Sequence, residues 1–194
     1  MTVFGRGGMI TEAMLARALE DVRRELEHTG LATDQLALVR VRRPWVVLNE
    51  RVGFYQPGGC GTISVPAVTL GRWREYRGHA PWTSVRDILR HEYAHALADH
   101  HPERVETAAF IEAFGAPHER DRPVSAYSHR THASTYAATM PSEDFAETMM
   151  VYLRVGGVIA PYRGRTGLYR KLRFVAGLAR AEQIAANERY RRTG

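Results

Sequence analysis

Apolar residues recur at helical spacing near the start of the chain. In "TEAMLARALEDVRRELEHTG" (Thr11 to Gly30), Met14, Leu15, Ala18, Leu19, Val22 and Leu26 share one face, with a threonine before the run and a glycine after it. That pattern predicts an amphipathic helix. The next stretches are richer in β-branched and aromatic residues. Gln35 to Val41 and Trp45 to Asn49 read as strands interrupted at Arg42-Arg43-Pro44, "GFYQPGGCG" reads as a turn, and "TISVPAVTL" reads as a further strand. Pro66 in that last run argues for an edge position or a bulge.

Helical spacing returns at Ser84, which stands three residues before Asp87 in the arrangement of a capping box, and the predicted helix runs to about His101, with Pro102 beyond it. A third helix is expected from Glu103 to Phe114, stopped by Gly115, and a fourth from Ser142 to Val155, with Ser142-Glu143-Asp144 capping its start. A final basic helix runs from Thr166 to about Tyr190, with Leu168, Leu172, Val175 and Ile184 inside. Between the third and fourth helices, Ala116 to Pro141 is a long polar connection without periodicity, a kind of segment that often carries function.

A helix, a small sheet and then a run of helices predict the α+β class, with a mixed sheet packed on a central helix and a mostly helical C-terminal half. The expected organisation is a single domain over 1–194, divided into an N-terminal helix plus sheet (1–82) and a helical part (83–194).

Composition narrows the setting. No run approaches the roughly 18 apolar residues of a membrane span, and the first residues lack the basic-then-apolar layout of a secretory signal, so a cytoplasmic location is expected. A lone cysteine, Cys60, has no intrachain partner for a disulfide. Beside its glycine turn it reads as a small buried residue rather than a thiolate ligand. The formal charge is +6 with Lys171 the only lysine, and the arginines are scattered rather than clustered. A dispersed charge of that kind is read as a solvated surface, which makes nucleic acid an unfavoured partner.

The densest chemistry lies in "RHEYAHALADHH" (Arg90 to His101). Positions i and i+4 of a helix lie one above the other, so His91 and His95 turn two imidazoles toward one point. Two neutral imidazoles from one helix supply half of a tetrahedral zinc site. Glu92, one step round the helix, is placed to take a proton from a water attacking a carbonyl.

Two residues compete to be the third ligand. His101 stands six residues past His95, the spacing of metzincins, but Ala98 occupies the place of the glycine that lets their chain turn back to the metal. If the helix continues, His101 lies roughly 240° round from His95, pointing away. Downstream, Glu143 and Glu147 form another i, i+4 pair, in which one carboxylate can bind metal while the other holds a ligand histidine by its second nitrogen. Acids at a helix start are also favoured without any metal.

The segment "STYAATMPSEDFAETMMVYL" resembles the glutamate-bearing helix of gluzincin-type metallopeptidases. In particular it is similar to bacterial zinc-binding metallopeptidases with a Tyr-Ala…Pro-x-Glu-Asp-Phe-Ala-Glu-Thr pattern, distantly similar to the catalytic domain of anthrax lethal factor. The resemblance covers Arg90 to Ala96 and Ser134 to Tyr152. It implies a zincin-like fold in which one Zn2+ is held by His91, His95 and Glu143, with Glu92 as general base and Glu147 supporting the shell. It further implies that Tyr136, seven residues before Glu143, stabilises the oxyanion or protonates the leaving amine. Apart from the resemblance, Tyr127, His129 and His132 are weaker candidates for that role, since a histidine in a loop is more often a surface residue than a catalyst.

The expected function is therefore zinc-dependent hydrolysis of a peptide bond in a protein or peptide substrate, held in extended form along an edge strand at Thr62 to Leu70. The alternatives are a metzincin-like protease using His101, or a basic nucleic-acid-associated zinc protein.

Overall fold

A computed structural model describes residues 9–45, 53–67 and 84–193. The first element, α1 (Glu12–Thr29), starts where the Thr11 side chain accepts the Met14 N–H and ends at Gly30, whose φ of 80° is the left-handed turn that glycine adopts without strain. Leu15, Ala18, Val22 and Leu26 are buried along it, as their spacing predicts.

The strand expected at Gln35–Val41 is mostly helix. Thr33 accepts the Leu36 N–H and Asp34 sits in the first turn, so a short helix, α2 (Asp34–Leu38), forms before β1 (Arg40–Arg42). Local capping outweighs β-propensity here. Of the second expected strand, only Trp45 lies within the described residues, as an exposed bend. The stretch read as a turn contributes a strand, β2 (Phe54–Gln56); the turn itself is confined to the residues after it, with positive φ at Gly58, Gly59 and Gly61. Cys60 is exposed in that turn and not buried, because the glycine-rich hairpin tip carries it out of the core.

The sheet has the order β1-β3-β2, with β3 (Thr62–Ser64) parallel to β1 and antiparallel to β2. β3 is thus the middle strand, which corrects the edge position expected from Pro66. Val65 and Ala67 both donate toward the β1 side, to the carbonyls of Arg42 and Pro44. Alternation then turns the missing N–H of Pro66 toward the β2 side, beyond the last register pair, Phe54 with Ser64.

Ser84 caps α3 (Val85–His100) through the Asp87 N–H. Buried residues occupy almost every face of α3, because it packs against α1, β2, β3 and a later helix, α6 (Pro141–Arg154). The helix expected at Glu103–Phe114 is divided: α4 (Pro102–Val105) starts on Pro102, and α5 (Ala108–Phe114) starts afresh where Thr107 caps it through the Phe110 N–H. Pro102 therefore opens an element rather than only closing one.

α6 begins with Pro141 at its first position, so Ser142 lies inside the helix and does not cap it. The last helix, α7 (Thr166–Thr193), buries Leu168, Leu172 and Val175, while Ile184 is exposed. The architecture is α+β with one small mixed sheet and a mainly helical second half. One buried apolar cluster runs from Ile10 through the sheet, α3 and α6 to Ala179. No helix among the described residues is long and apolar enough to cross a membrane.

Candidate metal centre

α3 and α6 pack side by side, and one face of each meets in a cleft of about 790 Å³. His91 and His95 project from successive turns of α3, and Glu143 comes from the first turn of α6. His91 Nε2 lies 3.1 Å from His95 Nε2 and 3.0 Å from Glu143 Oε2, and His95 Nε2 lies 3.4 Å from the same oxygen. The three atoms form a nearly equilateral triangle. Ligands about 2.0–2.1 Å from a tetrahedral metal stand roughly 3.3 Å apart, so the triangle has the size such an ion requires.

Hydrogen bonding points the same way. On the far side of the His91 ring, Nδ1 lies 3.0 Å from Oε1 of the fully buried Glu147. A neutral His91 donates its proton there, which turns the lone pair of Nε2 toward the lone pairs of His95 and Glu143. The three donor atoms face one point, where either a proton on His91 Nε2, donated to Glu143, or a metal cation would satisfy them. Burial pushes the His91 imidazole down, yet its hydrogen bonds to Glu143 and Glu147 outweigh that and carry its pKa up to about 10. Burial likewise raises Glu143, but the two histidines more than offset it and hold the carboxyl well below its usual range. His91, His95 and Glu143 can therefore hold a metal ion.

Glu92 lines the cleft from α3, almost fully buried. Burial raises its pKa above the ordinary carboxyl value, against the lowering effect of His91, His95 and the backbone N–H of Tyr55. The chain bearing that N–H comes in very close. A Cβ on Gly53 would stand 2.4 Å from a methyl of Ile88 and 3.4 Å from Glu92 Oε1, so glycine is what lets the wall of the cleft, Gly53 to Tyr55, lie against α3. Tyr55 then donates to Asp99 at 2.6 Å.

Tyr136 opens a 3-10 turn (Tyr136–Ala138) just before α6, and its ring centroid lies 5.8 Å from that of His91, on the cleft wall. The segment leading to it is clamped by the start of α7. Arg165 donates to the carbonyls of His129 and His132, the Leu168 N–H to that of Arg130, and buried Lys171 to that of Thr131 and to the carboxylate of Asp144. Gly167 lies against Thr131, with room for no Cβ.

The other sequence candidates lie elsewhere. His101 ends α3 turned toward Thr33 Oγ1 and Glu103, at 3.3 Å from each. The Ala98 helix continues as its sequence implies, and His101 points away from the triangle. Tyr127 is exposed, the carbonyl of His129 belongs to the α7 clamp, and His132 is buried, its Nδ1 accepting the Ser128 N–H. A substrate strand cannot add to Thr62–Ser64, because β1 and β2 occupy both of its edges; residues 68–70 lie outside the described residues.

One residue of the cleft has no signal in the sequence. His118, in the long connection, lines the cavity with His95 and Glu143. It follows no spacing rule, and only its place between α5 and α6 in the fold brings it there. No known protein family, characterised protein or solved structure matches this chain.

Proposed function

We propose that this protein is a zinc-dependent endopeptidase acting on a protein or peptide substrate. The reading rests above all on the convergence of His91 Nε2, His95 Nε2 and Glu143 Oε2 beside a buried Glu92. Zincin-like identity and the likeness to gluzincin-type metallopeptidases are part of the proposal, supported by the Tyr136, Glu143 and Glu147 spacing. Two imidazoles and one carboxylate suit zinc, and three protein ligands leave a position open, the arrangement of catalytic rather than structural sites.

When bound, zinc would polarise a substrate carbonyl and lower the pKa of an attacking water. Glu92 takes the proton of that water and passes it to the departing nitrogen from its buried place in the cleft beside the three ligands. Glu147 fixes the tautomer of His91. Tyr136 offers its hydroxyl from the cleft wall to the oxygen on which charge develops.

The test combines metal analysis with profiling of cleaved termini in protein extracts. Wild type is expected to hold one zinc per chain and generate new termini, Glu92→Ala to hold zinc without cleaving, and Glu143→Gln to lose metal while His101→Ala keeps it. Retention of metal in Glu143→Gln with loss in His101→Ala would move the centre to His101. Identical termini from wild type and Glu92→Ala would remove the peptidase reading.

A further inference from the structure

The cleft extends past the three ligands toward the end of α3. Asp99 follows His95 by four residues and His91 by eight, so the three lie along one strip of that helix. At about 1.5 Å of rise per residue, Asp99 stands roughly 6 Å along the helix axis from His95. Its carboxylate is fixed from the β2 wall: the Tyr55 hydroxyl donates to Oδ2 at 2.6 Å, and that hydroxyl is itself pressed against Gly61, where no Cβ would fit.

α4 follows at Pro102, and the cleft lining here joins an apolar surface, Ala98, Pro102 and Val105, to the carboxylates of Asp99 and Glu106. Elsewhere the acids of this basic chain find arginines: Glu25 and Asp87 pair with Arg90, and Glu182 with Arg104. Asp99 and Glu106 form no ion pair with any described residue. Among the described residues no lysine or arginine lines the cleft, although the chain carries a formal charge of +6. The cleft is thus opposite in sign to the rest of the molecule, and its two spare carboxylates lie beside an aliphatic surface.

A lysine or arginine side chain answers both features, with a hydrocarbon stem for the apolar surface and a charged head for the carboxylates. Extended, the stem carries the head roughly 6–7 Å from its own Cα, the same span as the helical turn between His95 and Asp99.

We propose that this end of the cleft receives a lysine or arginine side chain next to the scissile bond, its stem on Ala98, Pro102 and Val105 and its head at Asp99 and Glu106. The inference rests on the endopeptidase reading and narrows its substrate class to peptides with a cationic residue beside the cut. Tyr55 holds Asp99 in place before the substrate arrives, so less freedom is lost on binding.

Two chelating probes of equal length separate the charge from the stem: 6-aminohexanohydroxamate ends in an ammonium, and heptanohydroxamate ends in a methyl. Their dissociation constants are measured by calorimetry on the zinc-loaded full chain, with zinc content determined for each variant. Wild type is expected to prefer the ammonium probe about fivefold at low ionic strength, less as salt is added. Combining Asp99→Asn with Glu106→Gln is expected to abolish the preference; asparagine still accepts from Tyr55, so the β2 wall stays tied to α3. Termini cut by wild type are expected to carry lysine or arginine beside the cut, an enrichment that the double variant loses. Equal constants for the two probes in wild type, or an undiminished preference in the double variant, with zinc and heptanohydroxamate still bound, would overturn this inference alone. Failure of wild type to bind zinc and both hydroxamates would overturn the metal centre and the inference with it.

Discussion

Glu147→Gln tests whether the carboxylate behind His91 serves the metal. Glu147 is fully buried, with Oε1 3.0 Å from His91 Nδ1. A glutamine keeps an acceptor oxygen of the same reach, so the ring stays in place and only the charge is lost. Loss of such a partner lowers metal affinity about 10–100-fold, equivalent to about 1.4–2.7 kcal/mol. The proton competing for the same ring weakens too. In the metal-free wild type His91 carries a pKa of about 10, partly through Glu147, so zinc must displace a proton at pH 8. Without the carboxylate the ring releases that proton more readily, and zinc binding should liberate fewer protons at pH 8 to 9. Chelator competition gives the affinity, and calorimetry in buffers of different ionisation enthalpy gives the proton count. His101→Ala serves as a control and should stay within about threefold of wild type. An unchanged zinc affinity and proton count in a well-folded Glu147→Gln protein would refute the assignment.

The clamp at the start of α7 predicts a large stability effect. Lys171→Met leaves the carboxylate of Asp144 buried without its cation and should cost about 3 kcal/mol in urea denaturation, while Lys171→Met combined with Asp144→Asn should recover most of it; a single-variant cost below 1 kcal/mol would contradict the clamp. His132 predicts acid sensitivity. Burial first, and then the Lys171 charge, hold its pKa near 4 against an ordinary 6.5, so the stability it contributes is fully present above pH 6.5 and is lost as pH falls through 4. With allowance for solvent near the ring, the metal-free protein should lose about 2 kcal/mol from this group between pH 7 and pH 4. His132→Asn, which retains an acceptor for the Ser128 N–H, should flatten that dependence, and an equal pH slope in the two proteins would count against it.

The parts of this fold that were legible in the sequence are those fixed by local chemistry. Thr11 and Gly30 bracket α1 and Ser84 starts α3 because caps act within a single turn. His91, Glu92 and His95 are joined by one helical turn, and Glu143 and Glu147 by another, so each pair could be read from spacing. Where neighbours decide, the reading failed. Pro66 suggests an edge, yet its missing N–H falls where the β2 register has ended; Gln35–Leu38 is a different case, in which the local cap at Thr33 outweighs strand-like residues. Cys60 and Ile184 are carried outward by a hairpin tip and by the outer part of a long helix, neither of which follows from residue type. His118 reaches the cleft only through the packing of α5 on α6.

The triangle of ligands also has a topological side. The histidines and the glutamate belong to helices separated by a long stretch of chain, with His91 and its partner Glu147 56 positions apart. An ion held by all three would close a loop of roughly 50 residues, the span containing α4, α5 and the irregular connection. In the unfolded chain a covalent crosslink of that length removes conformational freedom equivalent to about 4 kcal/mol. A metal here would thus act as a reversible staple on the unfolded chain, drawing together both ends of the connection that carries His118 and Tyr136, a segment that the α7 clamp already holds in the folded protein.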